Sequence, residues 1–309
     1  MRSLSPGASA IKTDTGRIYG IDLSGIGVLT YEMGPKFQGW LAPATDCMAL
    51  ATDSMAAPRT CVVIPARMAS TRLPGKMLLR ETGRSLVEHT HAAVLRAKLP
   101  AAVIVATDHV AIADEVRRFG GTAVMTSTDC QSGADRVAEV ASRTPQFDLF
   151  VNVQGDEPEL DPAAIDLLIE QFDADTTTPM ATLATPITDP ERLRDPSVVK
   201  VVFDNSGRAL YFSRSPIPFV RDAQSATAAD QPPLFHQHLG IYAYRREFLA
   251  KLPHLPPSPL EQAEKLEQLR VLQAGETIRV GVVAHAATGI DTAADYAAFV
   301  RRHCRTMAA

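Results

Sequence analysis

From Arg59 to Phe172 short apolar runs alternate with segments of helical spacing, and the apolar runs end in polar loops punctuated by Gly and Pro. An apolar run without polar alternation makes a strand that needs cover on both faces, and intervening helices supply that cover. The rhythm predicts a parallel sheet wound with helices on both sides. Thr60–Ile64 reads as the first buried strand, followed by a helix over 86–99, a strand over 102–106, a helix over 112–119 and a short strand over 123–125. A helix over 134–142, a strand over 149–153 and a helix over 163–172 continue the series. Further on, Val198–Phe203 and Ala209–Phe212 flank Asp204-Asn205-Ser206-Gly207, a hairpin signal. Residues 222–233 read as a surface loop, 239–244 as a strand, and 259–273 as one helix opened by Ser258-Pro259. A strand over 278–283 closes the sheet, and a helix over 292–303 ends the chain. The expected fold is α/β: a doubly wound, mostly parallel, Rossmann-like sheet with helices on both faces and a small β-hairpin insertion.

Residues 1–58 break this rhythm. They hold the single tryptophan, Trp40, and no sustained helical or strand period, so they read as a poorly structured N-terminal extension, with residues 59–309 as the working domain. Met55, just upstream of the first strand, offers an alternative start. Net charge separates the remaining classes. With 31 Lys and Arg against 35 Asp and Glu, scattered along the chain, it lacks the basic excess of a protein that neutralises many phosphates, so no nucleic-acid partner is expected. No run has the length and apolarity of a membrane span, and no signal peptide is legible, so the reading is a cytoplasmic protein without membrane insertion. Cys47, Cys61, Cys130 and Cys304 lie far apart and form no CxxC pair, which argues against both a zinc site and a disulfide framework.

The segment Ile64 to Lys76 carries the densest chemistry. It leaves a buried strand and sets Arg67, Arg72 and Lys76, two hydroxyls and Gly75 in a stretch too broken by Pro and Gly to be helical. Loops at the C-terminal ends of parallel strands are where open α/β sheets bind ligands, and main-chain N–H groups there cradle anionic oxygens. Three cations at that place point to phosphates. The loop is not a Walker sequence, because Met77 follows Lys76 and the first glycine is missing.

The pattern RxxSTRLPGK resembles the nucleotide-binding signature of the sugar nucleotidyltransferases, and among them the CMP-Kdo synthetase family. Ala106-Thr107-Asp108, Gln131 to Arg136, Asn152 to Pro158, Tyr211 to Arg214, His238 to Tyr242, Pro259-Leu260-Glu261 and Glu267 to Arg270 follow in that family's order over about 60–300. The resemblance implies a nucleotidyltransferase-type fold and a cytidylyltransferase domain over 59–309. The activity implied is transfer of CMP from CTP to the anomeric hydroxyl of 3-deoxy-manno-octulosonate (Kdo), for lipopolysaccharide biosynthesis of the outer membrane. A homodimer is also expected from it. Alternatives are a cytidylyltransferase for a sialic acid or an amino variant of Kdo, and an inactive nucleotide-binding regulator on the same scaffold.

The resemblance assigns Ala66, Arg67, Arg72, Lys76, Ser132, Arg136 and Gln154 to the nucleotide, and Gln154, Arg214, His238, Tyr242, Glu267 and Gln268 to the sugar. Arg67, Arg72, Lys76 and Asp156 are the expected catalytic set. Asp156 follows a buried strand and Asp291 precedes the last helix; magnesium favours one or two carboxylates completed by water and phosphate, and by resemblance these two hold Mg2+. On residue type alone Asp156 could be a turn residue, Asp291 a helix cap, His238 a packed strand residue and Glu267 a solvated helix residue.

Overall fold

A computed structural model describes the strands at 10–12, 18–21 and 28–31 and residues 58–173, 177–221 and 233–308. The chain divides into two compact units, Met1–Ala56 and Ala57–Ala309. In the first, β1 (Ala10–Lys12), β2 (Ile18–Ile21) and β3 (Val28–Tyr31) form an antiparallel sheet in that order. The rest of the expected extension, with Trp40 and Met55, lies outside the described residues, as does 222–232 of the expected surface loop.

The second unit begins with β4 (Thr60–Ala66), α1 (Leu86–Val94), β5 (Ala102–Thr107), α2 (Val110–Arg118) and β6 (Thr122–Met125). It continues through α3 (Gly133–Arg143), β7 (Leu149–Asn152), α4 (Pro162–Glu170), β8 (Met180–Pro186), α5 (Pro190–Arg194) and the hairpin of β9 (Lys200–Phe203) and β10 (Ala209–Ser213). Then come β11 (His236–Arg245), α6 (Arg246–Lys251), α7 (Pro259–Glu264), α8 (Gln268–Gln273), β12 (Ile278–Val282) and α9 (Ala293–Ala308). Strands β6, β5, β4 and β7 run parallel; β11 lies antiparallel between β7 and β8, and β12 pairs parallel with β8. The first residues of β11 also pair with β9, which attaches the hairpin. This is the expected doubly wound, mostly parallel sheet.

Side-chain alternation along β4 explains why both faces are covered. Cys61 and Val63 enter one core with α3, α6 and α8, while Val62 and Ile64 enter the other with α1, α2 and α4; all four are fully buried. A third, smaller cluster of Leu86, Ile290, Tyr296 and Phe299 fastens α9 to α1 and so holds residue 290 beside the end of the sheet.

Three expectations change. The helix expected over 86–99 stops at Val94, and Leu95 is 60% exposed, because Leu95 and Ala97 already close the last turn through their N–H groups. The helix expected over 259–273 breaks at Lys265, whose φ of 55° is left-handed. Strand β8 was absent from the sequence reading. Its Met-Ala-Thr-Leu-Ala-Thr-Pro run is short of large apolar residues, yet it is buried, and Thr182 and Thr185 satisfy their hydroxyls on the carbonyls of Ile241 (2.8 Å) and Ala284 (3.1 Å).

Candidate active site

The loop after β4 turns back through Pro74-Gly75 into a short 3-10 turn at Lys76–Leu78. Gly75 has φ 65°, a conformation glycine takes without a Cβ penalty. This turn buries Lys76 to 7% exposure and aims its ammonium at the loop after β7. There it donates to Asp156 Oδ2, to the carbonyl of Ile290 (3.0 Å) and to Asp291 Oδ1 (3.4 Å). Arg72 reaches the same Asp291 oxygen at 3.1 Å. Arg67 is bound less strongly, through one bond to the carbonyl of Cys130 at 3.3 Å.

The two carboxylates converge for identifiable reasons. Ile290 N–H donates to the carbonyl of Asp156 at 2.9 Å, which ties the loop before α9 to the loop after β7. Capping of α9 falls to Thr292, whose hydroxyl and N–H bond Asp295, so Asp291 is not spent as the cap. On the other side, the Gly155 carbonyl accepts from the Thr90 hydroxyl at 2.8 Å. Gly155 has no room for a Cβ, which would lie 2.9 Å from the Pro65 carbonyl oxygen.

Helix α3 brings the next group. Ser132 caps it with Asp135 in a reciprocal pair, and its N-terminal N–H groups and dipole favour an anion there. Ser132, Gln154, Arg67, Arg72, Lys76, Asp156 and Asp291 line one cleft of about 450 Å³. Ala66 ends β4 directly behind it, fully buried. Arg136 stands apart: it is buried, bonds Asp108 Oδ2 (2.5 Å) and the Thr126 hydroxyl (2.6 Å), leaves Nε without a partner, and lines an adjoining cleft with Arg67, Asp108 and Gln131.

Residues expected at the sugar are more dispersed. Glu267 lines a third cleft, of about 550 Å³, that shares Gln131 and Ser132 with the first. Desolvation there raises its carboxyl above the ordinary range, with Asp135 adding to the effect. His238 is 8% exposed, packed between Phe212 and Tyr242, with Nε2 3.0 Å from the Thr182 hydroxyl. Burial pushes it down to about 3, so it is a neutral imidazole and a poor proton acceptor. Tyr242 is pushed up, by burial first and by Glu267 second. Gln268 is buried with Nε2 unpartnered. Arg214 lines none of these clefts; its guanidinium donates to the carbonyls of Glu264 (2.7 Å) and Pro196 (2.9 Å).

Residues 61–278 match the family described as Cytidylyltransferase. The chain belongs to the cytidylyltransferase family. The 3-deoxy-manno-octulosonate cytidylyltransferase of Rhodopirellula baltica is 49% identical over 246 residues, covering 78% of this chain and 97% of that protein. Its counterpart in Geobacter sulfurreducens is 48% identical over 237 residues, covering 75% and 94%. The structure of CMP:2-keto-3-deoxy-manno-octonic acid synthetase complexed with CTP matches with a TM-score of 0.75 at 41% identity, over 80% of this chain and 99% of the other.

In this cytidylyltransferase the donor set around Lys76 fits a hard divalent cation. Two carboxylates and a carbonyl oxygen already surround one positive charge. Among the described residues no three His, Cys, Asp or Glu form a metal cage, so an ion here would be completed by water and phosphate oxygens. Two nearby groups were given no site role by the sequence reading, although both lie in blocks that carry the resemblance. Asp108, just after β5, pairs with Arg136. Glu157, beside Asp156, is raised by burial, and secondarily by Asp156, to about 7; no sequence signal announces that. No helix among the described residues is long and apolar enough to cross a membrane.

Proposed function

We propose that this cytidylyltransferase joins CTP and Kdo to give CMP-Kdo and pyrophosphate, with Mg2+ bound by Asp156 and Asp291, as a cytoplasmic homodimer serving lipopolysaccharide synthesis. The relatives' names support the substrates. The geometry that carries the reading is the convergence of Lys76, Asp156 and Asp291 at the mouth of a cleft whose other wall bears Arg67, Arg72 and the N-terminus of α3.

The anomeric oxygen forms a bond to the α-phosphorus, the bond from that phosphorus to the bridging oxygen of the β-phosphate breaks, and the hydroxyl proton passes to solvent. Such a displacement depends on alignment and on neutralising charge on the phosphates. Arg67, Arg72 and Lys76 supply positive charge for the leaving pyrophosphate, and α3 offers main-chain donors. When bound, magnesium would neutralise phosphate charge and favour ionisation of the attacking hydroxyl. Ser132 and Gln154 orient the nucleotide, and Glu267 offers hydrogen bonds to sugar hydroxyls. His238, held neutral by burial, is assigned to packing and orientation rather than to proton removal. Residues 59–309 are assigned the whole activity.

Pyrophosphate release from CTP and Mg2+ should occur with Kdo and fail with sialic acid or without sugar. Asp156→Asn should lower turnover by about 100-fold or more, the loss typical of removing one electrostatic stabiliser of a transition state, while the variant still folds cooperatively with a modest loss of stability from the weakened pair with Lys76. Near wild-type turnover in that variant would overturn the carboxylate assignment.

A further inference from the structure

Two stretches of chain carry charge into the phosphate cleft, and each runs five residues on to a common meeting point, Lys76 to Glu81 and Asp291 to Tyr296. There the Tyr296 hydroxyl accepts the Glu81 N–H at 3.2 Å and donates to Glu81 Oε2, so both sides of the phenol oxygen are used. The ring is 7% exposed and packs with Leu86, Ile290 and Phe299. Leu73 and Leu79, from either side of the Lys76 turn, rest on the same cluster.

The two sides of this junction are not held alike. The chain after Lys76 is tied to α1 independently of α9: Leu86 N–H donates to the Leu79 carbonyl at 3.1 Å, and the Thr82 hydroxyl lies 2.7 Å from His89 Nε2. Lys76 therefore has a fixed base. Asp291 has less, because its side chain is 48% exposed and packing does not orient it. Its place follows from the main chain at 290–292 and from the helix that begins there. Ile290 N–H on the Asp156 carbonyl (2.9 Å) holds one end of that stretch, and the Thr292–Asp295 cap shapes the other. Tyr296, next after Asp295, joins this helix start to the fixed turn.

We propose that Tyr296 is a positioning residue: through its bond to Glu81 it holds α9 so that Asp291 stays with Asp156 around Lys76, and it thereby sets how tightly the two carboxylates hold a divalent cation. The inference rests on the carboxylate reading above. A charge-assisted hydrogen bond transmits position because breaking it leaves both partners unsatisfied. Groups that orient a metal's carboxylates change its affinity without touching it. Ionisation of the phenol plays no part: burial, and secondly Glu81, push it up to about 12, so at neutral pH it remains a donor.

Binding of Mn2+ to the full chain, read by electron paramagnetic resonance with CTP present and no sugar, tests this. Tyr296→Phe keeps the ring and removes the hydroxyl; the Kd for Mn2+ should rise roughly 3- to 30-fold. Glu81→Ala should do the same, and the double variant should bind no more weakly than either single one, because the same bond is lost in all three. Glu81→Gln keeps an acceptor for the hydroxyl and should recover most of the affinity. Ile165→Val trims a fully buried side chain of α4 and controls for lost stability: its Tm should fall while its Mn2+ affinity stays within about twofold of wild type. Unchanged Mn2+ affinity in Tyr296→Phe, losses that add in the double variant, or an equal loss in Ile165→Val overturns the proposal. A wild type that binds no Mn2+, or an Asp156→Asn variant that binds it as the wild type does, would overturn the carboxylate reading itself, so the two failures are told apart.

Discussion

Lys76 is gripped by oxygens from distant parts of the chain: Asp156 after β7, and Ile290 with Asp291 before α9. Removing its charge leaves two neighbouring carboxylates facing each other. Lys76→Gln should therefore lose about 1–3 kcal/mol of unfolding free energy in urea titrations, and added Mg2+ should raise its Tm more than that of the wild type; equal shifts would argue against the carboxylate pair as a cation site. His238 gives a pH signature. Its folded pKa of about 3 lies below the unfolded 6.5, so between those values the unfolded chain binds more protons and stability falls with acidification. Relative to His238→Asn, the wild type should lose about 2 kcal/mol on going from pH 7 to pH 5; other titrating groups, Glu157 among them, cancel in the difference. The cations and carboxylates of the site were legible as residue types at strand ends. What could not be read was commitment: nothing in Arg214 announces that its guanidinium serves main-chain carbonyls, because those partners are fixed by tertiary contact.

At the scale of elements, the loops matter more than the helices they join. Gly155 sits where the loop after β7 passes under the loop after β4, and Met77 Sδ would be 3.1 Å from an added Cβ. Gly155→Ala should cost about 1–3 kcal/mol by overpacking and shift Asp156 off Lys76, which a thermal melt and a crystal structure would both register. The strands of continuous apolar character were readable because burial on both faces leaves a plain trace in composition. Strand β8 left none, since its buried threonines satisfy their hydroxyls on carbonyls that no local pattern reveals. The α7–α8 break was likewise hidden: Pro259 to Gln273 keeps helical composition throughout, yet the helix is interrupted over residues 265–267, beginning at the left-handed Lys265.

For the molecule as a whole, all of the candidate site belongs to the unit from Ala57 onward. A chain starting at Met55 should match the full chain in Kdo-dependent pyrophosphate release within about twofold; a larger loss would give the N-terminal unit a part in catalysis. Sheet order adds a temporal consequence. Strand β11 separates β7 from β8, though it is translated more than 50 residues after β8 begins. During synthesis the β6-β5-β4-β7 half can assemble as it emerges from the ribosome, but its β7 edge and the whole of β8 stay without a neighbour until residue 245 has left the exit tunnel. Nascent chains stalled before that point would present the bare edge of β7 and both edges of β8, a state open to capture by a chaperone.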